Sequence, residues 1–484
     1  MKASLHKPAF RWILLIVWIA GFACGSLQAQ ERRTARRLKD IRDYPAALTA
    51  FFQDMPKGGD LHHHFSGSVY PETFFRAAVR HNAYLHPTSL ELQLQAPTDM
   101  TGWTRLQQWI ESVGYYEAER ILLRHWSAMD FSPGQTASYD DFFNSFPRFN
   151  FIVDSVLAEG LLELKQRAVD DNVLYIETML ERAHLPLIND SIAHWQRLLG
   201  NIQAAKDTAA LYAFLQQQYT RLQPGARELS ARQANRLRQL HEELAIDEDG
   251  FAMRYQYFAL RVLPAPQVFA DLLLACNLAS TDDLIVGVNI VAPEHNPVAL
   301  ADYWLHMHFF RFLRRQFPEV QFAMHAGELS LGVTQPEHLR WHVTAAVEIA
   351  GASRIGHGVD LPYERNVLSL LDSLRRRSVA VEINLSSNEF ILGIAGNRHP
   401  VQWLWDESVP LVISTDDEGV LRTNLSEQYV LLAYRYPSFS YQDIKKLVYN
   451  SITYSFIKDS SLKQAMIQEL DRRFAAFEAR WSGR

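Results

Sequence analysis

The sequence predicts an α/β protein, a (β/α)8 barrel of the TIM type with helical insertions after strands 1 and 2. Two observations carry this expectation. Eight short apolar, β-rich runs recur along the chain, and the stretches between them place apolar residues at helical spacing. Strands alternating with helices pair in parallel through right-handed crossovers, and eight of them in one chain close into a barrel. The runs are Gly59–His64, Val173–Leu180, Arg254–Leu263, Asp283–Val291, Val320–His325, Arg354–Gly358, Val379–Asn384 and Leu411–Thr415. Glu337–Ala350 and Val367–Arg376 are expected helices among the spacers. Two spacers are long. The one after the first strand contains the aromatic run YDDFFNSFPRFNF at 139–151. The one after the second strand holds a helical insertion at 190–248, expected to break at Pro224-Gly225. Both are placed either over the C-terminal mouth of the barrel or on its flank. No repeat or Gly/Ser linker divides the chain, so 55–484 is expected as one barrel domain after a helical lead-in at 30–54.

The first 29 residues read as a secretory signal peptide. Lys2, Lys7 and Arg11 precede an apolar run from Trp12 to about Ala23, and small or polar residues follow to Ala29. The run is too short for a stable membrane span. Export to the periplasm or medium is therefore expected, with a lipoprotein anchored through Cys24 as the alternative. Removal of the signal leaves Cys276 as the remaining cysteine, so no intramolecular disulfide can form. Cys276 lies in VFADLLLACNLA and is expected as an inert core residue. Any metal site must then be built from His, Asp and Glu. Hydrophobic residues make up 48% of the chain, enough for a large core, and a net charge of −6 gives no general attraction for nucleic acid or anionic lipid.

Four polar clusters fall at strand ends, where barrel enzymes assemble their sites. Leu61-His62-His63-His64-Phe65 closes the first strand. Alternate side chains share a face, so His62 and His64 can meet one metal ion while His63 points away; the alternative is a polar turn. Met324-His325-Ala326-Gly327-Glu328 closes the fifth strand and offers a third ligand, His325, with Glu328 as an acid/base group; the alternative is a turn with a solvated Glu. Ile355-Gly356-His357-Gly358 closes the sixth, its glycines allowing a close backbone approach; the alternative is a plain glycine turn. Ile413-Ser414-Thr415-Asp416-Asp417-Glu418 closes the eighth. Three adjacent acids repel unless a metal or a bound substrate offsets part of the charge; the alternative is capping of the next helix. Three His and one Asp would leave a further position on the metal for water, the arrangement of a catalytic rather than a structural zinc site.

The segments MPKGGDLHHHFSG, FAMHAGE, SRIGHGVD, INLSSN…RHP and LVISTDD resemble, in order, the signatures of the adenosine deaminase family of the amidohydrolase superfamily. The resemblance runs from about Met55 to Tyr429, and the signal peptide suggests a secreted bacterial-type member. It implies one zinc ion per chain, held by His62, His64, His325 and Asp416. It further implies that Glu328 acts on the purine N1, that His357 activates and orients the attacking water, and that Asp417 holds the purine N7. GVNIVAPE (287–294) is similar to the fourth-strand signature, whose backbone N–H meets the purine N3. Three positions depart from the family pattern. Ser66 stands where an Asp usually meets the ribose 5′-hydroxyl, Ala292 replaces a Gly, and Glu418 replaces a Pro. The implied reaction is deamination of adenosine or a close 6-aminopurine nucleoside to the 6-oxo product and ammonia. A 5′-modified adenosine and free adenine are alternative substrates, and an inactive secreted nucleoside-binding protein is the non-enzymatic reading. Two-metal amidohydrolases often carry a bridging modified lysine at the fourth strand end, and 283–297 contains no lysine. Cytidine-type deaminases need a P-C-x-x-C cluster, which is absent here. The expected partner is a small purine nucleoside, without nucleic acid or stable membrane insertion.

Overall fold

In the computed structural model, residues 28–483 are described apart from 133, 135, 136 and 249. Residues 1–27, with nearly all of the expected signal peptide and Cys24, lie outside the described residues. Helices over 28–41 and Pro45–Asp54 precede the first strand. No helix among the described residues is long and apolar enough to cross a membrane.

Eight parallel strands follow: β1 Lys57–His64, β2 Val173–Arg182, β3 Ala252–Leu260, β4 Ile285–Val291, β5 Gln321–Ala326, β6 Arg354–His357, β7 Ala380–Ile383 and β8 Leu411–Ile413. They pair strictly in chain order. The end of β8 returns to β1 through a bridge between Asp416 and His63. There the His64 N–H donates to the Asp416 carbonyl at 3.0 Å, and the Asp416 N–H donates to the His62 carbonyl at 2.9 Å. The seam that closes the barrel is thus made by the polar clusters of the first and eighth strands.

The first insertion is not purely helical as expected. Beside helices it carries a three-stranded antiparallel sheet, Glu91–Gln93, Tyr84–His86 and Thr104–Arg105. Strands of two or three residues hold too little alternation to be read as a period. The aromatic run forms helix Ser138–Val153, whose Tyr139 and Phe143 rings pack on His295 just beyond β4. That contact places the insertion over the barrel mouth.

The second insertion lies on the flank. Helix Thr208–Glu243 runs unbroken through Pro224-Gly225, contrary to the expected break. An internal proline loses one N–H bond and crowds the carbonyl four residues back. Here Thr220, Pro224 and Gly225 all face solvent, so water can satisfy the freed carbonyl. The opposite face, with Leu211, Leu215, Ala226, Ala234 and Leu237, is buried and holds the helix together by packing. It covers helix Ala265–Thr281, which is buried almost all round and includes the free thiol of Cys276. That double coverage explains why this helix is apolar on every side. Helix Val367–Arg376 forms where expected. Glu337–Ala350 instead divides into a 3-10 turn, a short α-helix and a π turn, because Trp341 leaves helical dihedrals at φ −158°.

The barrel interior is polar at one level. Arg354 of β6 is fully buried and donates to Glu177 of β2 at 2.6 Å, to Glu382 of β7 at 2.5 Å and to the Leu61 carbonyl at 3.3 Å. Replacing Arg354 by Met should leave two buried carboxylates without their cation. Urea denaturation should then show a loss of about 3–5 kcal/mol; a change within about 1 kcal/mol would mean the ionic cluster does not hold the barrel.

Candidate active site

The described structure brings the four sequence-predicted ligands together. The ligand atoms of His62, His64, His325 and Asp416 all lie within 4.8 Å of one another. Asp416 Oδ1 is 3.3 Å from His62 Nε2 and 3.2 Å from His64 Nε2, and His64 Nε2 is 3.1 Å from His325 Nε2. His63 points the other way, its Nδ1 3.0 Å from Thr178 Oγ1. The pleat of β1 alone produces this division.

Two hydrogen-bond chains decide which ring nitrogens face the cluster. Glu382 accepts from His62 Nδ1 at 2.7 Å while also accepting from Arg354. On the other side Arg354 holds Glu177, and Glu177 accepts from Gln256 Nε2 at 3.2 Å. The Gln256 oxygen accepts from Asn289 Nδ2 at 3.2 Å, and Asn289 Oδ1 then faces His325 Nδ1 at 2.9 Å. Each Nδ1 meets an acceptor and so carries the proton, leaving the Nε2 lone pair of His62 toward the Asp416 carboxylate and that of His325 toward His64 Nε2. Converging lone pairs and a carboxylate repel unless a cation lies between them, and three imidazoles with one carboxylate suit a divalent metal. The electrostatics agree. Burial opposes charge on His62, yet Asp416 and Glu382 outweigh it and push that ring up to about 10. This spot therefore demands positive charge.

Three further acids and bases surround the cluster. Burial, reinforced by Asp416 and Glu294, holds the Glu328 carboxyl well above the ordinary carboxylate range. Burial and the neighbouring Asp416 do the same to Asp417. In both, these surroundings favour the neutral acid, the form that can donate a hydrogen bond. Asp416 stays ionised, because His62 and His64 outweigh its burial. His357 is drawn down to about 3, chiefly by burial, and its Nε2 sits 3.7 Å from Glu328 Oε1. Asp417 occupies space that only a glycine can leave at position 67, since a Cβ there would lie 1.6 Å from its Oδ1.

The backbone is strained where the side chains converge. His357, Asp416 and Ala292 all have left-handed φ, at 69°, 71° and 81°. Such values are costly for residues with a Cβ and cluster at working sites. Ala292 therefore keeps the conformation that glycine would adopt freely. Ser66 lies in the short helical turn Phe65–Ser68 directly after β1. Glu418 turns away from the ligand cluster and pairs with Arg167.

Sequence reading did not single out the supports Glu382, Gln256, Asn289 and Glu177, nor Glu294. Glu294 accepts the backbone N–H groups of Gly327 at 3.2 Å and Glu328 at 2.9 Å, and His342 Nδ1 lies 2.6 Å from it. For Asn289 and Glu382 the available signal was a lone polar residue inside an otherwise apolar strand, IVGVNIV and AVEI.

A family model described as "Adenosine deaminase" matches residues 236–473. An adenosine deaminase of Clostridium kluyveri is 30% identical over 143 residues, 29% of this chain and 38% of that protein. The N6-methyl-AMP deaminase of Bos taurus is 34% identical over 110 residues, 22% of this chain and 31% of that protein. The chain thus spans well under half the length of these relatives. A solved Arabidopsis N6-methyl-AMP deaminase shares the fold, with a TM-score of 0.53 at 16% identity over 87% of this chain and 99% of that one.

His62→Ala or His325→Ala should abolish metal retention, read by elemental analysis after desalting. His63→Ala should keep about one equivalent while losing some stability with its Thr178 contact. Equal metal loss at His63 would place the cluster on the wrong face of β1.

Proposed function

We propose that the chain is a member of the adenosine deaminase family and a zinc-dependent hydrolase acting on adenosine or a closely related 6-aminopurine nucleoside. Water replaces the 6-amino group, giving the 6-oxo product and ammonia. The observation that carries this reading is the placement of two buried acids, Glu328 and Asp417, whose surroundings favour the neutral form, beside the four-ligand cluster. Purine deamination needs that combination, because N1 must gain a proton as C6 is attacked and N7 accepts a hydrogen bond.

His62, His64, His325 and Asp416 would hold the zinc, which when bound makes water acidic enough to serve as nucleophile near neutral pH. Glu328 donates its proton to N1 and so relieves the charge building in the ring. Asp417 donates to N7 and fixes the ring plane. The N–H of Ala292, presented by its left-handed backbone, meets N3. His357 holds the attacking oxygen on the C6 side. The insertion over the mouth excludes bulk water and strengthens each contact.

A second reading, a 5′-modified adenosine, is favoured by Ser66. Serine is neutral and both donates and accepts, whereas an Asp there would repel a 5′ anion. The N6-methyl-AMP deaminase among the relatives carries such an anion in its substrate name. The charged, apolar and small-residue succession of residues 1–29 adds export to the proposal, with residues 55–484 as the mature barrel domain. N-terminal sequencing of protein from the native host should begin near Gln30; an intact Met1 in the cytoplasmic fraction would remove export.

Purified protein with zinc should release ammonia from one member of a panel of adenosine, deoxyadenosine, 5′-modified adenosines and adenine. No ammonia from any of them would overturn the proposal. Glu328→Gln should retain zinc and bind substrate, yet lose roughly 10²–10⁴-fold in kcat, about 3–5.5 kcal/mol of barrier. A variant within about threefold of wild type, well short of the effect of a working acid/base group, would remove Glu328 from the mechanism.

A further inference from the structure

The segment INLSSN…RHP joins the end of β7 to the site through side chains that the proposed reaction leaves without a role. Asn388 lies in helix Leu385–Leu392, directly after β7, and His399 follows the turn Gly396–Arg398. Both are buried. The backbone N–H of Val401 donates to His399 Nδ1 at 3.1 Å. His399 Nε2 lies 3.0 Å from Asn388 Oδ1, and Asn388 Nδ2 lies 2.9 Å from His357 Nδ1. Asn384 Nδ2 is also 3.3 Å from His357 Nδ1.

A backbone N–H can only donate, and that fixes every direction along the chain. His399 Nδ1 must accept, so its proton sits on Nε2 and is given to the Asn388 oxygen. The Asn388 amide is then held with its NH2 toward His357, whose Nδ1 must accept. The His357 proton is left on Nε2, which is buried, has no hydrogen-bond partner among the described residues and faces Glu328. Burial pulls the His399 ring down to about 3, in keeping with its neutral state.

We infer that Asn388 and His399 are positioning residues that lock His357 as an Nε2–H donor, so that His357 holds the attacking oxygen and takes no proton from it. This rests on the proposed deamination for its catalytic meaning, but the tautomer itself does not. A ring already protonated on Nε2 and hydrogen-bonded at Nδ1 by amides has no lone pair to offer. It can donate to the incoming oxygen and steady the negative charge that oxygen carries after attack.

The test labels the zinc-loaded full-length protein with 15N in its histidine rings and assigns His357 by its loss in His357→Gln. Wild type should show His357 with a bare Nδ1 and a protonated Nε2. Asn388→Asp places an acceptor opposite Nδ1 and should move the proton there. In the same variant kcat should fall roughly 10²–10⁴-fold, the scale of a histidine held in the wrong tautomer, with KM within about threefold. His399→Phe frees the Asn388 amide to rotate and should give a mixture of both tautomers with an intermediate kcat. A protonated Nδ1 in wild type would overturn the inference, as would Asn388→Asp with unchanged ring shifts and kcat. If no 6-aminopurine is turned over, the proposed function falls while the ring-nitrogen result still judges the relay.

Discussion

The Arg354 guanidinium lies inside the barrel with its fork divided between Glu382 and Glu177, and two candidate metal ligands, His62 and His325, hang from those two carboxylates. Through Glu382 it sets His62. Through Glu177, Gln256 and Asn289 it sets His325. A buried ion pair adds little net stability compared with an apolar core, because desolvation offsets most of the attraction. Its value here is directional. Barrel interiors are ordinarily filled by Val, Ile and Leu, and an apolar layer could not dictate which nitrogen of each imidazole bears the proton. Seven strands, β1 to β7, each contribute one group to this layer or its termini, so the fold and the ligand geometry depend on the same contacts.

The backbone strain follows from the same design. Asp416 and His357 sit at strand ends in left-handed conformations that free peptides would avoid. At Asp416 the cost is met by the two backbone hydrogen bonds that close the barrel onto β1. The residue that repels its neighbour Asp417 is thereby also the residue that completes the sheet. Closure brings His62, His64 and Asp416 to one point, and the short distances between them leave a place that only positive charge relieves.

Much of this was legible in the sequence. All eight strands, the separation of His63 from His62 and His64, and the gathering of His325, Glu328, His357, Asp416 and Asp417 follow from alternation and from clusters at strand ends. What escaped reading has physical reasons. Pro224 signals a break only if its surroundings are not already held by packing, and helix Thr208–Glu243 is held along its buried face. The small antiparallel sheet is too short to show a period. Glu382 and Asn289 are single polar residues in apolar strands, and Gln256 lies in the mixed strand AMRYQYFAL; the meaning of all three lies in partners on other strands, which no local pattern encodes. Ala292 was recognised as a departure from a glycine, but its left-handed backbone is visible only in three dimensions.

The buried ionic layer thus orients two candidate metal ligands, His62 and His325. The affinity of the Glu382→Gln protein for zinc, measured by chelator competition, tests it most directly. Gln keeps the size of Glu and can still accept from Arg354, but its NH2 would face His62 Nδ1 and drive the ring proton to Nε2, where the lone pair is needed. Zinc affinity should fall roughly 10–100-fold with the fold retained by circular dichroism. An affinity equal to wild type in a folded Glu382→Gln protein would contradict the account.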